Sequence, residues 1–341
     1  MTRIRIGVMG AGSIGSYVGG KVLAADAADV ILVGRPWLQD EVAKNGLRVK
    51  DFDDEASHVP AERVQIVTDP APLAECDVVL CCVKSTHTPG VARSLAVVLR
   101  ADTLVASFQN GLRNAEVLGE ALGEERVAAS IVGFNVVSRG EGLFHRAMAG
   151  SIAMQASRDP RQRALLDALR ASGIGVDEPG DLAPHQWTKL MVNLNNAVSA
   201  ISGAPSRQLI LSPGHRRIVS AVIDEGLSVL RAAGIRPAKL RGVPVGLMPK
   251  VLRLPTPLVR LVTRAQLRVD PEARSSMWED LTRGRKTEVD FLNGEIVQLA
   301  ERSGVAAPLN RRLVELVREA EEAGEGPPNL DADVLWARLT A

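Results

Sequence analysis

The sequence predicts an α/β protein with a doubly wound, mostly parallel sheet in its N-terminal part and an all-helical C-terminal domain. The first half alternates short β-branched runs with helical or looped connections, and glycines follow the first run at close spacing. From about Asp181 no run of comparable strand character recurs, and Pro179, Gly180 and Pro184 interrupt local structure there. We therefore expect one domain over residues 1–180 and a second over 181–341.

The expected strands of the parallel sheet are short and apolar. They lie at residues 4–9, 29–35, 63–68, 77–84 and 103–111. Two later runs, 126–138 and 149–157, are spaced by glycines and predict antiparallel strands that close the sheet. In the second half, the proline-rich stretch 241–257 predicts a loop or insertion between helices.

Composition excludes several classes of protein. The chain has 341 residues, 46% apolar and 24% charged, as in an ordinary soluble globular protein. A net charge of +1 argues against a nucleic-acid binder, and no apolar run approaches the roughly 20 residues of a membrane span. The N-terminal run is too short and glycine-broken for a signal peptide, so we expect a cytoplasmic protein with no membrane association.

Cysteine and histidine usage argues against a metal site. Cys76, Cys81 and Cys82 lie in one apolar region without paired CxxC spacing, which predicts buried thiols in a reducing compartment. The five histidines are scattered singly. We therefore expect no metal.

The stretch GAGSIG at residues 10–15 carries the pattern G-x-G-x-x-G between a predicted strand and a predicted helix. Gly10 permits a tight turn, Gly12 lets the backbone approach a pyrophosphate, and Gly15 allows close helix packing, with the phosphate at the helix N-terminus. This context predicts a Rossmann-type dinucleotide-binding domain, whose loop contacts also include Ser13 and Ile14.

The end of the second strand indicates which dinucleotide binds. An NAD enzyme usually has an acidic residue there, whereas this chain has Gly34 and Arg35. A guanidinium suits a 2′-phosphate, which favours NADPH; the alternative is an ordinary surface arginine. Lys84 and Asn110 follow two further strands at the ligand-binding edge, although Asn110 before Gly111 also fits a simple turn.

The segment KLMVNLNNAVSAISG at 189–203 has helical apolar spacing interrupted by polar residues. Lys189, Asn193 and Asn196 lie at i, i+4 and i+7, on one face of the expected helix. A lysine near its ordinary pKa of about 10.4 is protonated at neutral pH, so Lys189 suits protonation of a carbonyl oxygen during hydride transfer. The alternative is a solvated helix face.

A second polar constellation lies at residues 275–300. Ser276 suits a carboxylate, and Glu288 near Lys189 would hold the ammonium and accept a substrate hydroxyl. Spacing alone favours an exposed Glu288, since most helical glutamates are solvated. The spacing of residues along the chain does not by itself place the segment 275–300 beside the segment 189–203.

Seven motifs together resemble the ketopantoate reductase family, the NADPH-dependent 2-dehydropantoate 2-reductases of pantothenate biosynthesis. They are GAGSIGSYVGG at 10–20, VGR at 33–35, VK at 83–84, SFQNG at 107–111, WTKLMVN at 187–193, SSMWEDL at 275–281 and RKTEVDFLNGEI at 285–296. The last two are far more specific than the glycine loop. The resemblance implies a Rossmann domain and a helical domain, with NADPH and a 2-keto acid meeting between them.

The resemblance also implies residue roles. Lys189 is similar to the family's general acid, and Glu288 to the acidic residue that organises this lysine, the substrate hydroxyl and the cofactor. Substrate contacts fall on Asn110, Asn193 and Ser276, with Asn110 also facing the cofactor. Lys84 corresponds to a lysine beside the cofactor, and Arg35 to the arginine used for the 2′-phosphate.

Two departures from the family pattern bear on the substrate. A second asparagine is typical eight residues after the lysine, but here that position is Ala197; Asn196 then becomes the expected contact. The stretch 236–270 is also longer than in compact family members. Within it Arg260, Arg264 and Arg268 form a basic stripe, expected to be a solvated face rather than a partner surface.

The leading interpretation is NADPH-dependent reduction of 2-dehydropantoate to (R)-pantoate. One alternative is a related NADPH-dependent reductase of another 2-keto acid. A second, from a different class, is a dinucleotide sensor without catalysis, which the presence of Lys189 and Glu288 disfavours. The sequence leaves the oligomeric state open, with a homodimer among the expected assemblies.

Overall fold

The computed structural model describes residues 3–51, 56–240, 242–264 and 274–341. The chain forms two compact units, Met1–Leu182 and Ala183–Ala341. The first unit carries an eight-stranded and a four-stranded sheet with helices, and the described residues of the second are helical apart from one small β-ribbon. The predicted fold class, a Rossmann-type sheet domain with a helical C-terminal domain, is confirmed.

The first unit has the following elements. The strands are β1 Arg5–Met9, β2 Asp29–Val33, β3 Leu47–Lys50, β4 Ser57–Val59, β5 Gln65–Val67, β6 Val78–Cys81, β7 Leu104–Ser107, β8 Val127–Val132, β9 Val136–Ser138, β10 Leu143–Arg146, β11 Ile152–Met154 and β12 Val176–Asp177. The helices are α1 Ser13–Ala24, α2 Pro36–Asn45, α3 Thr88–Val98, α4 Asn114–Leu122 and α5 Pro160–Ala171.

The large sheet has the order β12-β11-β8-β7-β6-β1-β2-β5. All pairs from β5 to β8 are parallel, and β11 runs antiparallel to β8. The expectation that 126–138 and 149–157 both add antiparallel strands is only partly right. Strand β8 instead pairs in parallel with β7, and β9 belongs to the second sheet, of order β4-β3-β10-β9.

Alternate residues of the central strands face opposite sides of the large sheet, as its pleat requires. Val8 and Leu32 pack in one core, whereas Ile31 and Cys81 pack in another. Burial raises the pKa of the Cys81 thiol to about 12, which makes it unreactive. Cys76 is buried in the same core with its pKa likewise raised to about 12, and Cys82 is only partly buried.

The second unit is built around one long helix. Its helices are α6 Ala183–Asn193, α7 Asn195–Ser202, α8 Ser206–Leu211, α9 Pro213–Ala232, α10 Met248–Leu252, α11 Thr256–Val262, α12 Ser276–Thr282, α13 Asn293–Arg302, α14 Pro308–Ala323 and α15 Ala332–Thr340; its ribbon is β13 Lys239–Leu240 with β14 Val243–Pro244. Helix α9 packs against α7, α8, α10 and α13 to α15. The proline-rich stretch predicted as a loop thus contains β14, α10 and the start of α11.

Two of these helices divide the segment that the sequence presents as one. Helix α6 ends at Asn193 and α7 begins at Asn195. Leu194 between them keeps helical dihedral angles, and its carbonyl accepts a hydrogen bond from Asn293 Nδ2 at 3.4 Å. A side chain that reaches a helical carbonyl in this way is a recognised cause of a helix break. Among the described helices, none is long and apolar enough to cross a membrane.

Candidate functional site

The glycine loop lies between β1 and α1, as predicted. Gly10 has φ of +97°, and a Cβ there would lie 2.9 Å from the backbone nitrogen of Val83, the second residue after β6. A Cβ on Gly15 would lie 2.6 Å from the Gly10 carbonyl oxygen. These two glycines are therefore required by the close approach of the loop to β6 and of α1 to the loop.

Gly12 differs from both, because a Cβ built on it would meet no atom of the described residues within 4 Å apart from the adjoining backbone. It caps α1, whose first turn carries no acidic residue. Ser16 donates its N–H to the Gly12 carbonyl at 2.9 Å, so the amides of Ser13, Ile14 and Gly15 precede the first hydrogen bond of the helix. Open space beside first-turn amides at the positive end of a helix fits a pyrophosphate.

Arg35 lies at the same edge of the sheet. The Val33 carbonyl, at the end of β2, accepts hydrogen bonds from the N–H groups of Gly10 at 3.2 Å and Ala11 at 2.8 Å. Arg35 follows two residues later as the exposed N-cap of α2. The end of β2 is therefore tied to the glycine loop, and Arg35 lies two residues beyond that end.

A buried hydrogen-bond network, not recognised in the sequence, joins the ends of β6 and β7. Gln109 Nε2 donates to the Val83 carbonyl at 3.0 Å and to Thr88 Oγ1 at 2.7 Å. Thr88 in turn donates to Asn114 Oδ1 at 2.7 Å. The three side chains are all buried, so the network holds the two loops in one arrangement.

The same network reaches the two predicted site residues of these loops. Ser85 Oγ donates to the Asn110 carbonyl at 3.0 Å and accepts from Asn114 Nδ2 at 3.0 Å. Lys84 immediately precedes Ser85, and both Lys84 and Asn110 are half-buried. Asn110 therefore occupies a turn whose backbone is fixed by buried side chains, and the turn and site interpretations are compatible.

Lys189 lies in α6, and its pKa is influenced by Glu288, which lies 99 positions further along the chain. Burial lowers the pKa of the Lys189 ammonium to about 8, and the negative charge of Glu288 opposes that shift. The expectation of an ordinary lysine pKa is therefore wrong. A pKa of about 8 leaves the amine mostly protonated at neutral pH and able to release its proton.

Glu288 is buried, with 8% of its surface exposed, so the expectation of an exposed side chain from spacing alone is wrong. It precedes the short helical turn Val289–Phe291. Glu321 of α14 fixes the preceding residue, because its carboxylate accepts the Thr287 N–H at 2.7 Å and contacts Lys286 Nζ at 3.1 Å. Glu321 is thus a positioning residue that no sequence pattern identified.

Asn193 and Asn196 are half-exposed, on either side of the break at Leu194. Ala197, the departure from the family pattern, is fully buried in α7. A larger amide at this position would have to fit in the core. Of the two neighbours Asn196 and Ala197, it is therefore Asn196 that has access to a ligand.

Ser276 is the exposed first residue of α12, and its neighbour Ser275 holds it in place. Ser275 Oγ donates to the Asn196 carbonyl at 3.0 Å and accepts the Trp278 N–H at 3.2 Å as the helix cap. Ser275 N–H donates to Ser199 Oγ at 3.4 Å. Ser275 therefore joins α12 to α7 and brings Ser276 close to Asn196.

Two remaining predictions concern surface residues and metals. Arg260 and Arg264 are exposed, whereas Arg268 of the predicted stripe lies outside the described residues. Within the described part of the chain, no group of three or more histidine, cysteine or carboxylate side chains could hold a metal ion.

Comparison with known proteins places this geometry in a family. The family model described as ketopantoate reductase PanE/ApbA matches residues 6–159, and its C-terminal counterpart matches residues 181–321. Together they span most of the chain.

Individual relatives agree with the family models. A 2-dehydropantoate 2-reductase of Archaeoglobus fulgidus is 31% identical over 326 residues, covering 93% of this chain and 98% of the relative. A crystal structure of a PanE/ApbA family ketopantoate reductase from Ralstonia eutropha JMP134 superposes with a TM-score of 0.79 at 30% identity, covering 94% of this chain and 100% of that chain. A D-mandelate dehydrogenase solved with NADH and anilino(oxo)acetate shares the fold, with a TM-score of 0.76 at 20% identity, covering 94% of this chain and 99% of that one. The chain therefore belongs to the ketopantoate reductase family of oxidoreductases.

Proposed function

We propose that this protein reduces 2-dehydropantoate to (R)-pantoate with NADPH as the hydride donor. The observation that carries the proposal is Lys189, whose pKa is lowered to about 8 by burial and which is influenced by the buried carboxylate of Glu288, in a chain of this family. A lysine tuned in this way is typical of general acid catalysis.

The proposed roles follow from the chemistry of each side chain. The cofactor, when bound at the glycine loop, supplies the hydride. Lys189 donates a proton to the oxygen of the keto group, and Glu288 stabilises the charged form of the lysine. Asn193, Asn196 and Ser276 would hold the polar groups of the substrate, so that binding energy orients the ketone.

The proposed cofactor is NADPH rather than NADH. Gly12 and the first-turn amides of α1 fit a pyrophosphate of either dinucleotide. Arg35, exposed at the end of β2, supplies the charge suited to a 2′-phosphate. Lys84 and Asn110, in the loops fixed by the buried network, are the further residues that we assign to the cofactor, with Asn110 also assigned to the substrate.

The test is the initial rate of NADPH oxidation, followed by absorbance, with 2-dehydropantoate as substrate and NADH in a parallel assay. We expect rapid turnover that prefers NADPH. Turnover preferring NADH would contradict the cofactor assignment alone. NADPH binding without turnover of any keto acid would contradict the enzymatic proposal and favour the sensor interpretation.

A second candidate is the reduction of a different 2-keto acid with the same residues. The buried Ala197 favours it, because this position lacks the second asparagine typical of the family. The D-mandelate dehydrogenase of the same fold is named for a different 2-hydroxy acid. A panel of branched and aromatic 2-keto acids decides between the two: a higher kcat/KM for another acid would replace 2-dehydropantoate as the substrate.

We also propose a cytoplasmic location and a homodimeric assembly. Sedimentation equilibrium at micromolar concentration measures the assembly directly, and a monomer there would contradict the homodimer.

A further inference from the structure

We propose that the helical unit contains a second ligand site, which binds a small organic phosphate monoester. The site is a cavity of about 450 Å³ beside the N-terminal half of α9. Its lining comes from α9, α10 and α15 and the residue that follows α10: Pro213, Arg216, Arg217, Ala221, Leu252, Arg253 and Trp336. We call it the arginine pocket. No residue assigned above to the cofactor or the keto acid lines it.

Arg216 is the central observation. It is buried, with 5% of its surface exposed, yet Nε and Nη1 of its guanidinium have no hydrogen-bond partner among the described residues. The remaining nitrogen, Nη2, donates to Thr256 Oγ1 at 3.1 Å. A buried charge without a counter-ion is costly, and Arg216 is one of the residues that line the arginine pocket. We therefore infer that an anion bound in the pocket completes the site.

The other two arginines leave the pocket with excess positive charge. Arg253 is neutralised by Asp224, whose Oδ2 lies 2.7 Å from Arg253 Nη2. Arg217 instead lies over the ring of Trp336, with its guanidinium carbon 4.0 Å from the ring centroid. Stacking fixes the orientation of this guanidinium without removing its charge. Arg216 and Arg217 therefore supply the excess positive charge.

The helix that carries these arginines adds to the positive potential. Arg216 and Arg217 lie in the first five residues of the 20-residue helix α9, whose first turn contains no acidic residue. The N-terminal end of a helix is its positive end, so two cations there are unfavourable without an anion. The N-cap Ser212 makes no side-chain capping bond, which leaves first-turn amides available.

The size and lining of the pocket define the class of ligand. A guanidinium fork matches a phosphate better than a lone carboxylate, because it can donate two parallel hydrogen bonds to a dianion. The cavity is larger than an inorganic phosphate needs, and Ala221, Leu252 and the Trp336 ring offer apolar surface for the organic part. A phosphate monoester with a small aromatic or aliphatic group fits both features.

The experiment is isothermal titration of the full-length protein with phenyl phosphate and with inorganic phosphate at pH 7.5. Excess NADPH is present so that the glycine loop is occupied. We expect one phenyl phosphate per chain, bound more tightly than inorganic phosphate. Arg216→Met should weaken binding by roughly 10- to 100-fold, the scale of a charge-assisted hydrogen bond. The tryptophan fluorescence of the protein should change on binding in the wild type and not in Trp336→Phe.

Two further variants keep the test decisive if Arg216→Met does not fold. Arg217 is exposed, so Arg217→Gln keeps the fold and should weaken binding several-fold. Arg302→Gln removes the same charge from the exposed end of α13 and should leave the affinity unchanged. The proposal is overturned if the wild type does not bind phenyl phosphate at 1:1 stoichiometry. It is also overturned if folded Arg216→Met and Arg217→Gln bind like the wild type, or if Arg302→Gln weakens binding as much as Arg217→Gln.

Discussion

At the scale of single residues, Lys189 decides the pH dependence of the proposed reaction. Reduction needs the protonated amine, and the pKa is about 8. We therefore expect kcat/KM for reduction to be constant below this pH and to fall above it. Lys189→Ala should lower kcat by roughly 10²- to 10⁴-fold. A pH profile that is flat through pH 9, or a Lys189→Ala enzyme with normal turnover, would remove Lys189 from the mechanism.

Glu288 provides a check on the same assignment. Its charge raises the pKa of Lys189 against the effect of burial, so Glu288→Gln should move the fall in rate to lower pH. Glu322→Gln, an exposed carboxylate on α14, is the matched control and should leave the profile unchanged.

Arg35 decides the cofactor preference in our proposal. Arg35→Ala should raise KM for NADPH far more than KM for NADH, because only NADPH has the 2′-phosphate that a charge-assisted contact can hold. Steady-state kinetics with each cofactor measure this difference. Equal effects on the two cofactors would show that Arg35 does not contact the 2′-phosphate.

At the scale of elements, two glycines of the loop between β1 and α1 have different roles: Gly12 should affect cofactor binding, and Gly15 should affect stability. Gly12 has ordinary φ of −83° and open space around its missing Cβ, so Gly12→Ala should leave the melting temperature unchanged. The same methyl group would obstruct the pyrophosphate and raise Kd for NADPH by roughly tenfold or more. Gly15→Ala is the contrast, since its Cβ would lie 2.6 Å from the Gly10 oxygen. That variant should lose about 1–3 kcal/mol of stability.

Helix α14 depends on a buried polar network with α9 and α13. Glu225 accepts the N–H groups of Leu309 at 2.9 Å and Asn310 at 2.8 Å, which caps the start of α14. Asn310 is fully buried; its side chain donates to Glu225 at 2.8 Å and accepts from Asn293 at 3.0 Å. This network also supports the break at Leu194, because the same Asn293 amide contacts the Leu194 carbonyl.

Removing Asn310 should therefore destabilise the helical unit. Asn310→Ala leaves buried partners unsatisfied, which should cost roughly 1–3 kcal/mol. Urea unfolding followed by tryptophan fluorescence measures this loss of stability, since three of the four tryptophans lie in residues 183–341. Glu315→Ala, on the exposed side of α14, is the control and should change stability by less than about 0.5 kcal/mol. If the two variants lost the same free energy of unfolding, the buried network around Asn310 would not stabilise the helical unit.

At the scale of the whole molecule, the proposed functions are divided between the two units. The glycine loop, Arg35, Lys84 and Asn110 belong to the first unit, and Lys189 with Glu288 belongs to the second. Lys189→Ala should therefore bind NADPH within about twofold of the wild-type Kd while losing turnover. Titration calorimetry tests this; a large loss of NADPH affinity would show that Lys189 also serves cofactor binding.

The sequence by itself determined the features that depend on neighbouring residues. Alternation of strand and helix, the glycine loop and the change of pattern near residue 181 are local signals, because strand and helix periodicities act over a few residues. The Gly10 and Gly15 positions were predictable for the same reason. The motifs at 187–193 and 275–296 indicated the family, although spacing alone left Glu288 as an exposed residue.

Only the tertiary structure decided which distant residues meet. Burial and electrostatic coupling depend on three-dimensional distance, which the chain order does not encode for residues about a hundred positions apart. Hence the burial of Glu288, the lowered pKa of Lys189 and the support of Thr287 by Glu321 became visible only in the folded chain. The same holds for the two guanidinium nitrogens of Arg216 that have no hydrogen-bond partner among the described residues.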